Sequence, residues 1–151
     1  MDSTPTLLSR AMGAVIDFLL AFAVLCLVSL PWSLKWLIGF VHLSPALYVP
    51  MLVILFVSGL CAAGILWQAH RIFQTVNQGD PFIRRNVRSL KITGWLCFGI
   101  ALVYAVGLFS IRSPFMALVL VAFAFLGTFL FIVADLLFKA VQIKEENELT
   151  I

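Results

Sequence analysis

The chain has 151 residues, of which 63% are hydrophobic and only 11% charged, with a net charge of +3 and a mean hydropathy of +1.11. Soluble domains average about 45–50% apolar and roughly 25% charged residues, and a chain this small must leave much of its area exposed. The composition therefore excludes a water-faced globule and makes lipid the solvent of an integral membrane protein.

The opening "MDSTPTLLSR" carries an acidic residue, and no A-x-A-like site follows the first apolar run. That run is expected to be retained as a membrane helix and not removed as a signal peptide. Crossing roughly 30 Å of hydrocarbon takes about 20 largely uncharged residues at 1.5 Å each. The first predicted span covers about residues 11–30 and is charged only at Asp17. Next comes "PWSLKWLIGFVHLSPALYVP", bracketed by Pro31 and Pro50, with Trp32, Trp36 and Phe40 at i, i+4 and i+8. Aromatic residues on one helical face favour the headgroup level, so this stretch reads as a short, separate helix in the outer interface. The second span is about 49–67, continuing as a helix through "QAHRIFQTVNQ".

Gly79, Asp80 and Pro81 then read as a stop and a restart. Glycine suits the left-handed end of a helix, aspartate an N-cap, and proline the first helical position. With Arg84 set at zero on a helical wheel, Arg85, Arg88 and Lys91 fall at about 100°, 40° and 340°, while Phe82, Ile83, Val87 and Leu90 spread over roughly 160–300°. One face is basic and the other apolar. Such a stripe beside a membrane matches attraction to anionic headgroups, at about 1 kcal/mol per basic residue. It lacks the interleaved aromatics or reading motif of a nucleic-acid binder, so no direct nucleic-acid contact is expected.

The third span is about 92–111 and the fourth about 113–134, joined by "SIRSP" with Pro114 opening the fourth. The tail "ADLLFKAVQIKEENELTI" continues as a helix, with Asp135 and Lys139 at i, i+4 spacing, and ends in Glu145, Glu146 and Glu148. Continuous apolar character around every face specifies helices and not a period-2 barrel. The expected fold is all-α: a four-helix transmembrane bundle with an outer interfacial helix, a cytoplasmic helical hairpin and a cytoplasmic C-terminal helix.

Four spans place both ends of the chain and the central loop on one side. That side holds Arg10, Arg71, Arg84, Arg85, Arg88, Lys91, Lys139 and Lys144, against Lys35 and Arg112 on the other. Eight basic residues against two is a positive-inside signal, so both termini are expected in the cytoplasm. The acidic tail and the basic stripe share that side and are candidates to pair with each other, weakly enough to be exchanged for a partner.

These same residues carry a family likeness. "GDPFIRRNVRSLKITGW" resembles the G-x-P-F…N-V-x-x-L-x-x-I-G segment of a bacterial membrane-protein family, domain of unknown function 2975. "FKAVQIKEENELTI" resembles its terminal helix followed by E-x-D/E-L-T-V/I. Gly79, Pro81, Phe82, Asn86, Val87, Leu90, Ile92, Gly94, Glu146, Leu149 and Thr150 match by position, while Glu148 stands where aspartate is commoner. The resemblance implies a four-span inner-membrane protein without an established activity. It also implies a gene neighbourhood shared with a small helix-turn-helix regulator, hence a membrane partner of a transcription factor.

Three cysteines, Cys26, Cys61 and Cys97, lie in apolar runs without paired spacing and read as packing residues, not as a disulfide framework or metal cluster. Asp17 is an intramembrane ionisable residue, hence a functional suspect, close enough to the end of its span to snorkel or to pair with Arg10. His42 and His70 belong to opposite sides; His70, beside Arg71, reads as an interfacial residue. No nucleophile–base pair, phosphate loop, paired carboxylates or zinc spacing is present in the sequence, so neither enzyme activity nor a cofactor is expected. Gly59 and Ala63 form a small-xxx-small pair suited to close helix packing, inside the bundle or between copies in a homo-oligomer. The reading is of an interaction protein that touches lipid and presents hairpin and tail to a soluble partner. The alternative is a small transporter or channel component using Asp17 within an oligomer.

Overall fold

The computed structural model describes residues 7–149. They form four helices, α1 (Leu7–Val41), α2 (Tyr48–Asn77), α3 (Arg84–Ser110) and α4 (Pro114–Leu149), with a short 3-10 turn (Pro45–Leu47) ahead of α2. All four are long and apolar enough to cross a membrane. In hydrocarbon each backbone amide and carbonyl must find its partner within the protein, which a helix achieves alone. At 27 to 36 residues the helices are about 40–54 Å long, so they outrun a hydrocarbon core of about 30 Å.

Each helix packs antiparallel on the next in sequence, α1 on α2, α2 on α3 and α3 on α4, and no other pair of helices forms an extensive contact. The arrangement is a row and not a closed ring of four. The core lies along α3, whose apolar window is 33% buried against 6% for α1. Cys97 and Ile100 are its innermost apolar residues. Phe18, Phe22, Phe125 and Phe129 point outward from α1 and α4, where an apolar surface costs nothing in lipid.

Small residues set the close approaches. A Cβ on Gly127 would sit 3.2 Å from the Gly94 carbonyl oxygen, and one on Gly94 would sit 3.0 Å from the Phe131 ring. Trp95, Phe98 and Phe131 close around this crossing, with ring centroids 5.5 to 6.3 Å apart. Gly59 accepts Leu27 of α1, which a Cβ there would meet at 2.5 Å. Gly59 of the small-residue pair therefore serves packing between α1 and α2.

Two expected elements take another form. The outer interfacial helix is not separate: α1 runs through Pro31 without a break, and its Trp32–Trp36–Phe40 face is the exposed face of the same helix. Proline removes the amide that would donate to the carbonyl four residues earlier, but long helical runs on both sides and packing just beyond it carry the helix through, with Leu34 and Ile38 buried. The Tyr48 hydroxyl also donates to the Pro31 carbonyl at 3.3 Å and ties this point of α1 to the start of α2. The helix instead ends at His42, in a left-handed conformation (φ 55°), with the Leu43 amide donating to the Ile38 carbonyl.

The second correction concerns the restart. Gly79 stops α2 as expected, with φ +84°. Its amide donates to the Val76 carbonyl and that of Asp80 to the Thr75 carbonyl, the bond pair of a Schellman motif. Asp80, however, does not cap α3, and Pro81 does not open it. Both lie in an extended loop, and α3 begins at Arg84 behind an extended Ile83 without any side-chain cap. Two interactions hold the loop out of the helix. Lys144 engages the Asp80 carboxylate, and the Asn86 amide donates to the Pro81 carbonyl at 2.6 Å.

Candidate functional site

Alternating helix directions bring the end of α2, the start of α3 and the end of α4 together at one end of the row. Here the loop between α2 and α3 meets the last three turns of α4. Asn86 builds the loop from inside. Only 2% exposed, it donates through Nδ2 to the Pro81 carbonyl and, at 2.7 Å, to the Thr75 hydroxyl of α2. Thr75 in turn donates to the Ile72 carbonyl at 2.6 Å. The helix-entry residue is thus a clamp between α2, loop and α3. Val87 and Gly94 of the same motif are buried, and Leu90 and Ile92 half-buried.

The charged side chains stand outside this clamp. Arg84 makes a two-point bridge to Glu145, Nε to Oε1 at 3.0 Å and Nη2 to Oε2 at 2.9 Å, and its guanidinium carbon lies 6.0 Å from the centroid of the Phe138 ring. Lys144, the neighbour of Glu145, pairs with Asp80. Two consecutive residues of α4 are therefore clasped by two residues of the hairpin. The bond to Arg84 holds the Glu145 carboxyl below the ordinary glutamate range, and the same bond raises Arg84. Lys144 is raised chiefly by its bond to Asp80. All these groups are reached by water, so each bridge is exchangeable. Phe82 lies along Ala140 and Ile143, lining a groove of about 420 Å³ that ends at Asn147 and Glu148.

The other candidates are placed as follows. Arg85 donates from Nη2 to the Arg71 carbonyl at 3.2 Å, and Arg88 lines a cavity with Arg71 and Arg84. Lys91 is exposed, as are Glu146, Glu148 and Leu149. Thr150 of the terminal motif lies outside the described residues. The pair expected between Asp135 and Lys139 is not formed; both side chains are exposed, where such a pair gains little.

Asp17 has a partner that spacing along its own helix did not reveal. Its Oδ1 lies 2.7 Å from His70 Nδ1 across the α1–α2 contact, so the partner is His70 and not Arg10. His70 Nε2 is 3.2 Å from the Gln74 amide nitrogen, and the imidazole stacks on Trp67 with centroids 5.7 Å apart. One neutral tautomer satisfies both bonds, with Nδ1–H donating to Asp17 and Nε2 accepting from Gln74. Nearer the end of the helices Ser9 bonds Asn77, so α1 is tied to α2 at two levels. Among the described residues no three His, Cys, Asp or Glu side chains lie together as a metal site.

Thr75 is the contributor that the sequence did not single out, while His70 and Arg71, read there as interfacial and cytoplasmic-side residues, turn out to face Asp17 and Arg85. Gln68 and Thr75, seven residues apart and both buried, share one face of α2, and that periodic polar pair was the available signal.

Neither the curated proteins nor the solved structures include a match to this chain. A family model does match, over residues 11–151, and its span takes in α1 from residue 11 onward, the other three membrane-type helices, the Gly79–Gly94 segment and the acidic end of α4. The chain belongs to that family, described as a protein of unknown function (DUF2975).

Proposed function

We propose that this protein is a non-enzymatic interaction protein of the bacterial inner membrane, holding its C-terminal helix in reserve for a soluble partner. Both termini, the hairpin and the tail would lie in the cytoplasm, as the eight-to-two distribution of basic residues indicates. The partner class suggested by the family resemblance is a helix-turn-helix transcription regulator. The observation that carries the reading is the double clasp of Lys144 to Asp80 and Glu145 to Arg84. Two adjacent, solvent-reached bridges keep the end of α4 docked, yet a competing protein surface can replace them.

The test is capture of a purified helix-turn-helix regulator by the full-length chain in detergent or nanodiscs. Deleting Asn147 to Ile151 removes none of Asp80, Arg84, Lys144 and Glu145; it should leave insertion nearly unchanged and weaken capture at least tenfold. Reporter fusions at Asn77 and after Ile151 should register as cytoplasmic and one at His42 as external. Undiminished capture by the deletion variant, or an external signal at Asn77, would end this reading.

The Asp17–His70 pair favours a second reading, a small transporter or channel component acting within an oligomer. Asp17→Asn separates the two: a correctly inserted variant that keeps every transport and conductance property of the parent removes the transporter.

A further inference from the structure

Arg71 at the end of α2 and Arg84, Arg85 and Arg88 on the first turns of α3 stand around one cavity of about 610 Å³, walled on the inside by Ser89 and Ile92. The two helices that carry these residues are tied together. Asn86 bonds Thr75 across the same two helices, and the Arg85 guanidinium already reaches over to the backbone of Arg71. Of the four arginines that line it, one has a carboxylate, Glu145 on Arg84; among the described residues Arg71, Arg85 and Arg88 form no ion pair. Like charges lining one cavity repel one another, and the positive end of α3 adds to the field. An anion in the cavity would relieve that repulsion. Guanidinium forks match phosphate oxygens two at a time, and a terminal phosphate offers enough oxygens for several forks at once. Ile92 opens the uncharged run of α3, so the cavity lies where the polar end of the helix gives way to its membrane-spanning part.

We propose that this four-arginine cavity binds a terminal phosphate group, and that the occupant competes with Glu145 for Arg84. The binding itself stands apart from the partner-capture reading above; the competition rests on it, because it makes phosphate the signal that undocks the tail.

The full-length protein in nanodiscs tests both parts. One arm titrates inorganic phosphate into phosphatidylcholine discs; the other replaces part of the phosphatidylcholine with phosphatidic acid, using phosphatidylglycerol as the matched diester. Saturation by inorganic phosphate identifies a soluble ligand. Saturation by phosphatidic acid alone, over phosphatidylglycerol, identifies a lipid headgroup. Arg71→Gln and Arg88→Gln should each weaken binding at least tenfold. Arg88→Lys, which keeps the charge and loses the fork, should weaken it several-fold. Lys139→Gln, an equal loss of charge outside the cavity, should leave it unchanged. No saturable site in either arm, or equal effects of Lys139→Gln and Arg88→Gln, would overturn the proposal in favour of diffuse attraction to headgroups. Glu145→Gln should raise phosphate affinity several-fold. If phosphate binds and Glu145→Gln changes nothing, the competition is wrong while the site stands, a result independent of whether any regulator is captured.

Discussion

At the scale of single residues, Asn86 and Gly79 do unlike work in the same loop. Asn86 places its amide hydrogens on Thr75, in a buried bond, and on the Pro81 carbonyl, in a half-buried one. Asn86→Ala leaves those acceptors without a donor and should cost about 1–3 kcal/mol, read as a lowered thermal midpoint in detergent. Asn86→Asp should cost more, since a carboxylate would face a carbonyl oxygen. Gly79 has nothing within 4 Å of a built Cβ, so the cost of Gly79→Ala is that of the left-handed backbone alone, about 1–2 kcal/mol. Gly79→Asn should lose less than Gly79→Ala in the same melt, because asparagine tolerates this conformation.

At the scale of elements, the α3–α4 crossing depends on two glycines whose neighbours differ in how far they can yield. At Gly127 a methyl group meets the Gly94 backbone oxygen at 3.2 Å and Phe98 at 3.3 Å. A backbone oxygen moves only with its helix, so Gly127→Ala should push α3 and α4 apart and lower the thermal midpoint. Gly39→Ala, with open space around it, serves as the matched control and should leave the midpoint unchanged or slightly raised. Cross-linking between α3 and α4 would report the displacement directly. By contrast α1 touches α2 alone to any extent, so changes on its outer face, Phe18 or Phe22, should leave the α3–α4 crossing undisturbed.

At the scale of the whole molecule, the clasp between hairpin and tail has a definite pH window. Glu145 is lowered, so its contribution to docking is complete above the ordinary glutamate value of about 4.3 and is lost as pH falls through the lowered value. Lys144 is raised, so its contribution is complete below the ordinary lysine value of about 10.4 and is lost as pH climbs through the raised one. Docking should therefore be flat across neutral pH and fail first in acid. Energy transfer between a label at Gln78 and one at the C-terminus should show that plateau. Salt should weaken docking throughout, since screening acts over about 8 Å at physiological ionic strength. Arg84→Glu should release the tail, and the exchange Arg84→Glu with Glu145→Arg should restore it. A double variant as open as the single one would show that the bridge does not hold the tail.

Hydropathy alone determined the lipid environment, the four spans and the crowding of charge at one end, because each depends on composition summed along a segment. Gly79 was legible for a similar reason: its left-handed turn is a property of the local backbone. What lay between helices was not legible. The sequence placed Asp80 as a cap because its neighbours suit one. The fold gives its carboxylate to Lys144, a residue that arrives from the far end of the chain. Asp17 looked toward Arg10 by spacing, whereas the rotation of α1 against α2 sets it on His70. Pro31 suggested a break that packing of Leu34 and Ile38 overrides. The four-arginine cavity likewise needs Arg71 from α2 beside three residues of α3. Helix register and rotation decide such pairings, and they follow from how Gly59, Gly94 and Gly127 let neighbouring helices seat, which no spacing within a single helix encodes.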